Sequence, residues 1–141
     1  LNACPLSSGA FLMALDLTAI RKAVASQAAG AAGLTNADHF RPDGINGSPH
    51  LYVMFDGLDR STMAGASSNR WTVLLTAHLS VEGVWDRSSQ ERMDTLIPLV
   101  WAAMESDRTL GGNARHMQVT SVANSSADGP VGATYQLTVE V

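Results

Sequence analysis

Four histidines, His39, His50, His78 and His116, are the side chains whose type best suits a metal ion. Their spacing argues against that use. No pair stands at i, i+4, and no local Cys/His arrangement gathers ligands. Cys4 is the only cysteine, which excludes both a zinc cluster of cysteines and an intramolecular disulfide. Asp56 and Asp59 could act as an acid–base pair, yet they flank Gly57 at a predicted strand end, where a turn is the simpler reading. The serines lack the Gly-x-Ser-x-Gly context of a nucleophile elbow. Asp107–Gly112 (DRTLGG) has two glycines but no Lys-Ser/Thr ending, and it follows a helix instead of opening one, unlike a phosphate loop. The residue types therefore point away from catalysis, and no metal or cofactor is expected.

Nucleic-acid binding is equally poorly supported. The net charge is −4 and aromatics make up 6% of the chain, so neither a broad basic face nor a stacking platform is available. The chain of 141 residues is 45% hydrophobic and 16% charged, which suits one globular domain. Eight Arg against one Lys, with abundant Ala, reads as coding bias from a GC-rich genome. A single cysteine fits folding inside a cell. Residues 1–12 (LNACPLSSGAFL) form an arm or an upstream extension, because Met13-Ala14 looks like an ordinary protein start. They lack the basic region of a signal peptide. No apolar run approaches the roughly 18–20 residues of a membrane helix, so no membrane partner is expected.

The elements that position these side chains follow from periodicity. Asp16 caps a predicted helix over 17–29, with Leu17, Ile20, Val24 and Ala28 on one stripe, stopped by Gly30 and Gly33. A long loop is expected from Leu34 to Pro49. Strands are predicted at 50–56 and 70–82. The second alternates Trp71, Val73, Leu75, Ala77, Leu79 and Val81 with polar partners. Between them Leu58–Asn69 reads as a long, small-residue hairpin tip. Ser88 and Glu91 fit a capping box for a helix over 89–104, whose stripe is Met93, Leu96, Ile97, Val100, Trp101 and Met104. Pro98 should kink that helix. Strands over 115–123 and 133–141 come next, joined by the loop NSSADGPVG. The pattern is α-β-β-α-β-β, a single α+β domain with a mostly antiparallel sheet and helices on one face. Its predicted core is Val73, Leu75, Leu96, Ile97, Val100, Trp101 and Leu137.

The absence of chemistry leaves assembly as the leading role. The final strand, Thr134–Val141, is expected to leave a hydrogen-bonding edge uncovered, which is a hazard in a monomer and a joint in an oligomer. Contacts between subunits are expected at Leu58, Asp59, Arg60 and Met63 in the first tip, at Trp85 where strand passes into helix, and at Val139 and Val141.

The segments LDLTAIRKAV (15–24), WTVLLTAHLSV (71–81), AAMESDRTLGG (102–112) and GATYQLTVEV (132–141), in this order, resemble the tail terminator family of long-tailed bacteriophages. The resemblance covers nearly all of residues 14–141 and is most specific in the helix–D-x-TLGG–hairpin ending. Residues 1–12 lie outside it. It implies a hexameric ring of identical subunits at the head-proximal end of the tail tube, which stops tail growth and offers a docking surface to the head. The implied partners are further copies of the chain, the tail tube protein and the head–tail connector (stopper) protein, with DNA passing through the lumen without sequence-specific binding. The implied location is the neck of the virion, assembled in the host cytoplasm. Another head–tail joining or tail-completion protein, docking on the portal side, is the alternative; a small enzyme or nucleic-acid-binding module fits less well.

Overall fold

The computed structural model describes residues 15–42, 49–62, 69–81, 87–124 and 131–141. The chain forms α1 (Leu17–Ala28), β1 (Asn36–Asp38), β2 (His50–Thr62), β3 (Asn69–Val81), α2 (Arg87–Met104), a single 3-10 turn (Leu110–Gly112), β4 (His116–Asn124) and β5 (Val131–Glu140). This is an α+β domain: one five-stranded sheet in the order β1-β2-β3-β5-β4, antiparallel except for the β1–β2 pair.

Alternation decides which face of the sheet is covered. Leu51, Val53, Val73, Leu75, Ala77, Leu79, Ala133, Tyr135, Leu137, Val139, Met117 and Val119 point to one side and are buried. Against them pack Ile20, Val24 and Ala28 of α1 and Met93, Leu96, Val100 and Met104 of α2. The small residues Ala25 and Ala28 allow α1 to lie close to its neighbours. Asp16 caps α1, its Oδ1 accepting the Ala19 N–H at 3.0 Å. At its other end the Gln27 side-chain amide donates to the Met104 carbonyl at 2.6 Å, tying α1 to the last turn of α2.

Several expectations need correction. The segment 34–49 contains a strand: β1 pairs in parallel with His50–Tyr52. Three residues are too few for a periodic signal, so the sequence does not reveal it. Strand β2 runs six residues past Asp56, to Thr62, because a bulge between Phe55 and Gly57 absorbs the turn-like Asp56-Gly57 pair. Leu58, Asp59 and Arg60 are thus strand residues, and the tips 63–68 and 125–130 lie outside the described residues. Helix α2 starts at Arg87, before the expected Ser88 cap, and the Glu91 carboxylate pairs with Arg87 at 3.0 Å. It continues through Pro98. Ile97 and Trp101 are only partly buried, on the shoulder of the core. The Trp101 ring meets Tyr135 edge-on at 6.4 Å, and the Tyr135 hydroxyl donates to the Ile97 carbonyl at 2.9 Å. Burial pushes the Tyr135 phenol pKa well above its usual value.

The largest correction concerns the end of the chain. Strand β5 lies inside the sheet, paired with β3 on one side and β4 on the other, so the C-terminal strand has no free edge. The strand at that side of the sheet is β4.

Candidate functional site

The chemically capable side chains are placed apart. His116 sits opposite Glu140 on β4–β5, whereas His78 and His50 occupy β3 and β2. The His78 ring stacks on Tyr52 at 4.9 Å, and its Nδ1 lies 3.2 Å from the Thr134 hydroxyl. Burial pushes the His78 pKa down, Arg41 adds to that, and Asp56 opposes it. His50 is buried with Nε2 3.5 Å from an Asp38 carboxylate oxygen. Among the described residues no three His, Cys, Asp or Glu side chains converge in a way that could hold a metal ion. Asp56 lies in the bulge and Asp59 three residues on, both exposed, and no His or Ser is hydrogen-bonded to either among the described residues.

The DRTLGG segment is a wired turn. The Asp107 carboxylate accepts the Thr109 hydroxyl at 2.7 Å, the Thr109 N–H at 3.0 Å and the Gly111 N–H at 3.1 Å. These bonds, the hydroxyl first, hold its pKa below the ordinary aspartate value. Leu110, Gly111 and Gly112 all have positive φ, a run that two glycines make possible. Leu110 tolerates the left-handed region because its side chain is driven into the core.

The turn's role becomes clear at the edges of the sheet. On β4, alternate N–H groups point away from β5, toward what should be an open edge. Two are already taken. The Met117 N–H donates to the Arg108 carbonyl at 2.8 Å, and the Val119 N–H to Glu105 Oε2 at 2.8 Å. The other Glu105 oxygen accepts the Trp101 indole N–H at 3.2 Å and Arg108 at 3.3 Å. Burial of this carboxylate works against its charge, yet the Val119 N–H, Arg108 and the Trp101 N–H hold its pKa below the ordinary glutamate value. The first half of β4 is therefore shut by its own chain, and a bulge at Thr120 bends the second half of the strand.

The opposite edge is different. Strand β1 pairs only with His50–Tyr52, so from Val53 to Thr62 strand β2 has β3 as its one partner among the described residues. Phe55 and Leu58 stand there on the helix side of the sheet, opposite Leu75 and Val73, but are 42% and 36% exposed. Phe40, just past β1, is 49% exposed. Three of the four exposed large hydrophobics among the described residues thus belong to this side of the sheet; the fourth is Leu99 on α2. Arg60 lies over the Trp71 ring, 5.5 Å from its centroid.

The residues expected at contacts divide accordingly. Leu58, Asp59 and Arg60 are exposed on the open edge strand. Val139 is fully buried between Val73 and Met117, so it belongs to the core and offers no surface to a neighbour. Val141 is partly buried and its N–H donates to the Trp71 carbonyl at 2.9 Å. Met63 and Trp85 lie outside the described residues. Sequence reasoning did not single out Phe55 or Phe40: Phe55 shares the helix-side face with Leu51 and Val53 yet is exposed. The available signal was Asp56-Gly57 within a strand pattern, the mark of a bulge. Glu105 was missed as well, since its partner is a backbone N–H fourteen residues away.

No known family model and no curated protein sequence matches the chain.

Proposed function

We propose that the protein is a structural subunit of a phage tail: a tail terminator that forms a homo-oligomeric ring, a hexamer, at the head-proximal end of the tail tube. The ring ends tube growth and presents a surface to the head–tail connector. Two things support this reading. The ordered segments ending in DRTLGG and GATYQLTVEV resemble that family. The observation that supports it on the structural side is that Val53–Thr62 has β3 as its one partner strand among the described residues, with Phe55 and Leu58 exposed on it. An edge strand that exposes Phe55 and Leu58 is a hazard to a lone domain, whereas an assembling subunit has a use for one. The face of the sheet turned away from the helices agrees with DNA passing by without being held, since Tyr52, Thr76, His78, Thr134, Gln136 and Thr138 stand at its centre with no Lys or Arg among them.

Disrupting the gene in a phage that carries it tests the function. Unjoined heads and overlong or uncapped tails are expected in electron micrographs, with the protein restored at the neck on complementation. Normal virions at wild-type titre from the disrupted phage would refute it.

A further inference from the structure

We propose that the open edge of β2 receives the N-terminal arm, residues 1–14, of a neighbouring copy as an added strand, and that this exchange links each subunit to the next. The inference rests on the ring reading above and specifies the joint.

The two edges of the sheet leave few alternatives. A ring built by continuing the sheet from copy to copy would pair β2 of one subunit with β4 of the next. The first half of β4 is closed to this, because the Arg108 carbonyl and the Glu105 carboxylate already hold the outward N–H groups of Met117 and Val119. Pairing β2 with β2 of another copy is isologous. It makes two-fold dimers, and does not by itself close a ring of identical contacts. A donated arm is heterologous: donor and acceptor surfaces differ, so the contact repeats around the ring until it closes.

The arm is well placed and suitably composed. Arg21, one turn into α1, donates to the His39 carbonyl at 2.9 Å, immediately past the end of β1. The first turns of α1 therefore lie within one side chain's reach of the end of β1, and Leu15 and Leu17 pack against the core where the arm joins it. Preceding that root is the unbroken apolar run Ala10–Leu15 (AFLMAL). Laid along β2, Phe11 and Met13 share one face, and that face can lie beside Phe55 and Leu58. Residues 1–14 extend to about 45–50 Å, against an edge from Val53 to Thr62 of about 33 Å. The difference is enough to cross from one copy to its neighbour.

A photo-crosslinking experiment tests this. Phe55 is replaced by benzoylphenylalanine, of similar shape and already exposed, in a chain lacking residues 1–14, which therefore has no arm of its own. This chain is co-expressed with the complete protein and irradiated, and the crosslinked peptides are mapped by mass spectrometry. Crosslinks to residues 1–14 of the complete copy are expected. Crosslinks to any other segment of a second copy, or none, overturn the proposal. So does a monomeric product crosslinked to its own arm when the probe is placed in the complete chain. As a second measurement, removing residues 1–14 alone should leave far-ultraviolet circular dichroism unchanged and convert rings to monomers in sedimentation. Rings of undiminished stoichiometry from that deletion overturn it too. The tail-terminator reading fails separately, on the virions of the disrupted phage.

Discussion

The two sides of this sheet handle the same problem in opposite ways. Both edge strands expose backbone groups that a passing strand could pair with. On β4 the chain closes the edge with its own material, using one backbone carbonyl from the turn and one side-chain carboxylate from just past α2. On β2, among the described residues, it supplies only the three residues of β1, and Phe55 and Leu58 stand exposed on the stretch beyond them. The difference gives the molecule a direction. The first half of β4 is closed to a further strand, whereas Val53–Thr62 of β2 has no second partner among the described residues.

This contrast can be tested by experiment, starting with β5, the interior strand that carries the closed edge. Leu137, buried in β5 between β3 and β4, should destabilise the domain by about 2–5 kcal/mol when truncated to Ala, measured by chemical unfolding. A change within about 0.5 kcal/mol would mean that β5 is not interior. Trp101→Ala should fall below the about 3–5 kcal/mol typical of a fully buried tryptophan, since only part of its ring is covered. Opening the closed edge comes next. Glu105→Ala leaves the Val119 and Trp101 N–H groups without their acceptor and should cost about 1–3 kcal/mol, with increased aggregation as a second edge becomes available.

The same residue makes an acid prediction. Its folded pKa lies below the unfolded value of 4.5, so its contribution is complete above about pH 4.5 and fades as the pH falls through the lower folded value. Glu105→Gln should remove that part of the acid destabilisation, read as a flatter stability–pH curve below pH 4.5. His78 acts at higher pH. Its folded pKa is depressed below 6.5, so the stability it confers is full above that pH and declines below it. His78→Gln should flatten the curve in that range. The smallest expected effect on stability belongs to the open edge. Leu58→Lys should change unfolding by no more than about 0.5 kcal/mol yet abolish the proposed ring. A ring of normal size from Leu58→Lys would show that the edge is not a joint.

Much of this fold is legible in the residues. Strict alternation over Trp71–Val81 and Ala133–Val139 identifies two central strands and their buried face, and the stripe from Met93 to Met104 identifies α2, because each pattern is long relative to its period. Strand order is not legible. The last strand ends the chain yet is inserted between its neighbours, and nothing in a single strand's alternation says which strands lie beside it. The open stretch of β2 is half legible. Leu58, Asp59 and Arg60, expected in a loop, are exposed strand residues, because the Asp56 bulge lets pairing continue through a segment whose composition suggests a turn. Val139 is misplaced by sequence reasoning for the same reason as the edge: its exposure depends on a strand order that only the fold supplies.

The turn between α2 and β4 has a kinetic consequence. Its side-chain bonds join residues only two to four apart, from Asp107 to Thr109 and Gly111 and from the Asn113 amide to the Leu110 carbonyl. Closing such short loops takes little from the chain's entropy, so the turn can form before the distant strands meet. Once formed, it carries the Arg108 carbonyl that Met117 will use and seats Leu110 for burial. An early turn of this kind sets the pace of folding more than the lifetime of the folded state. Asp107→Ala should therefore slow refolding while leaving the unfolding rate nearly unchanged.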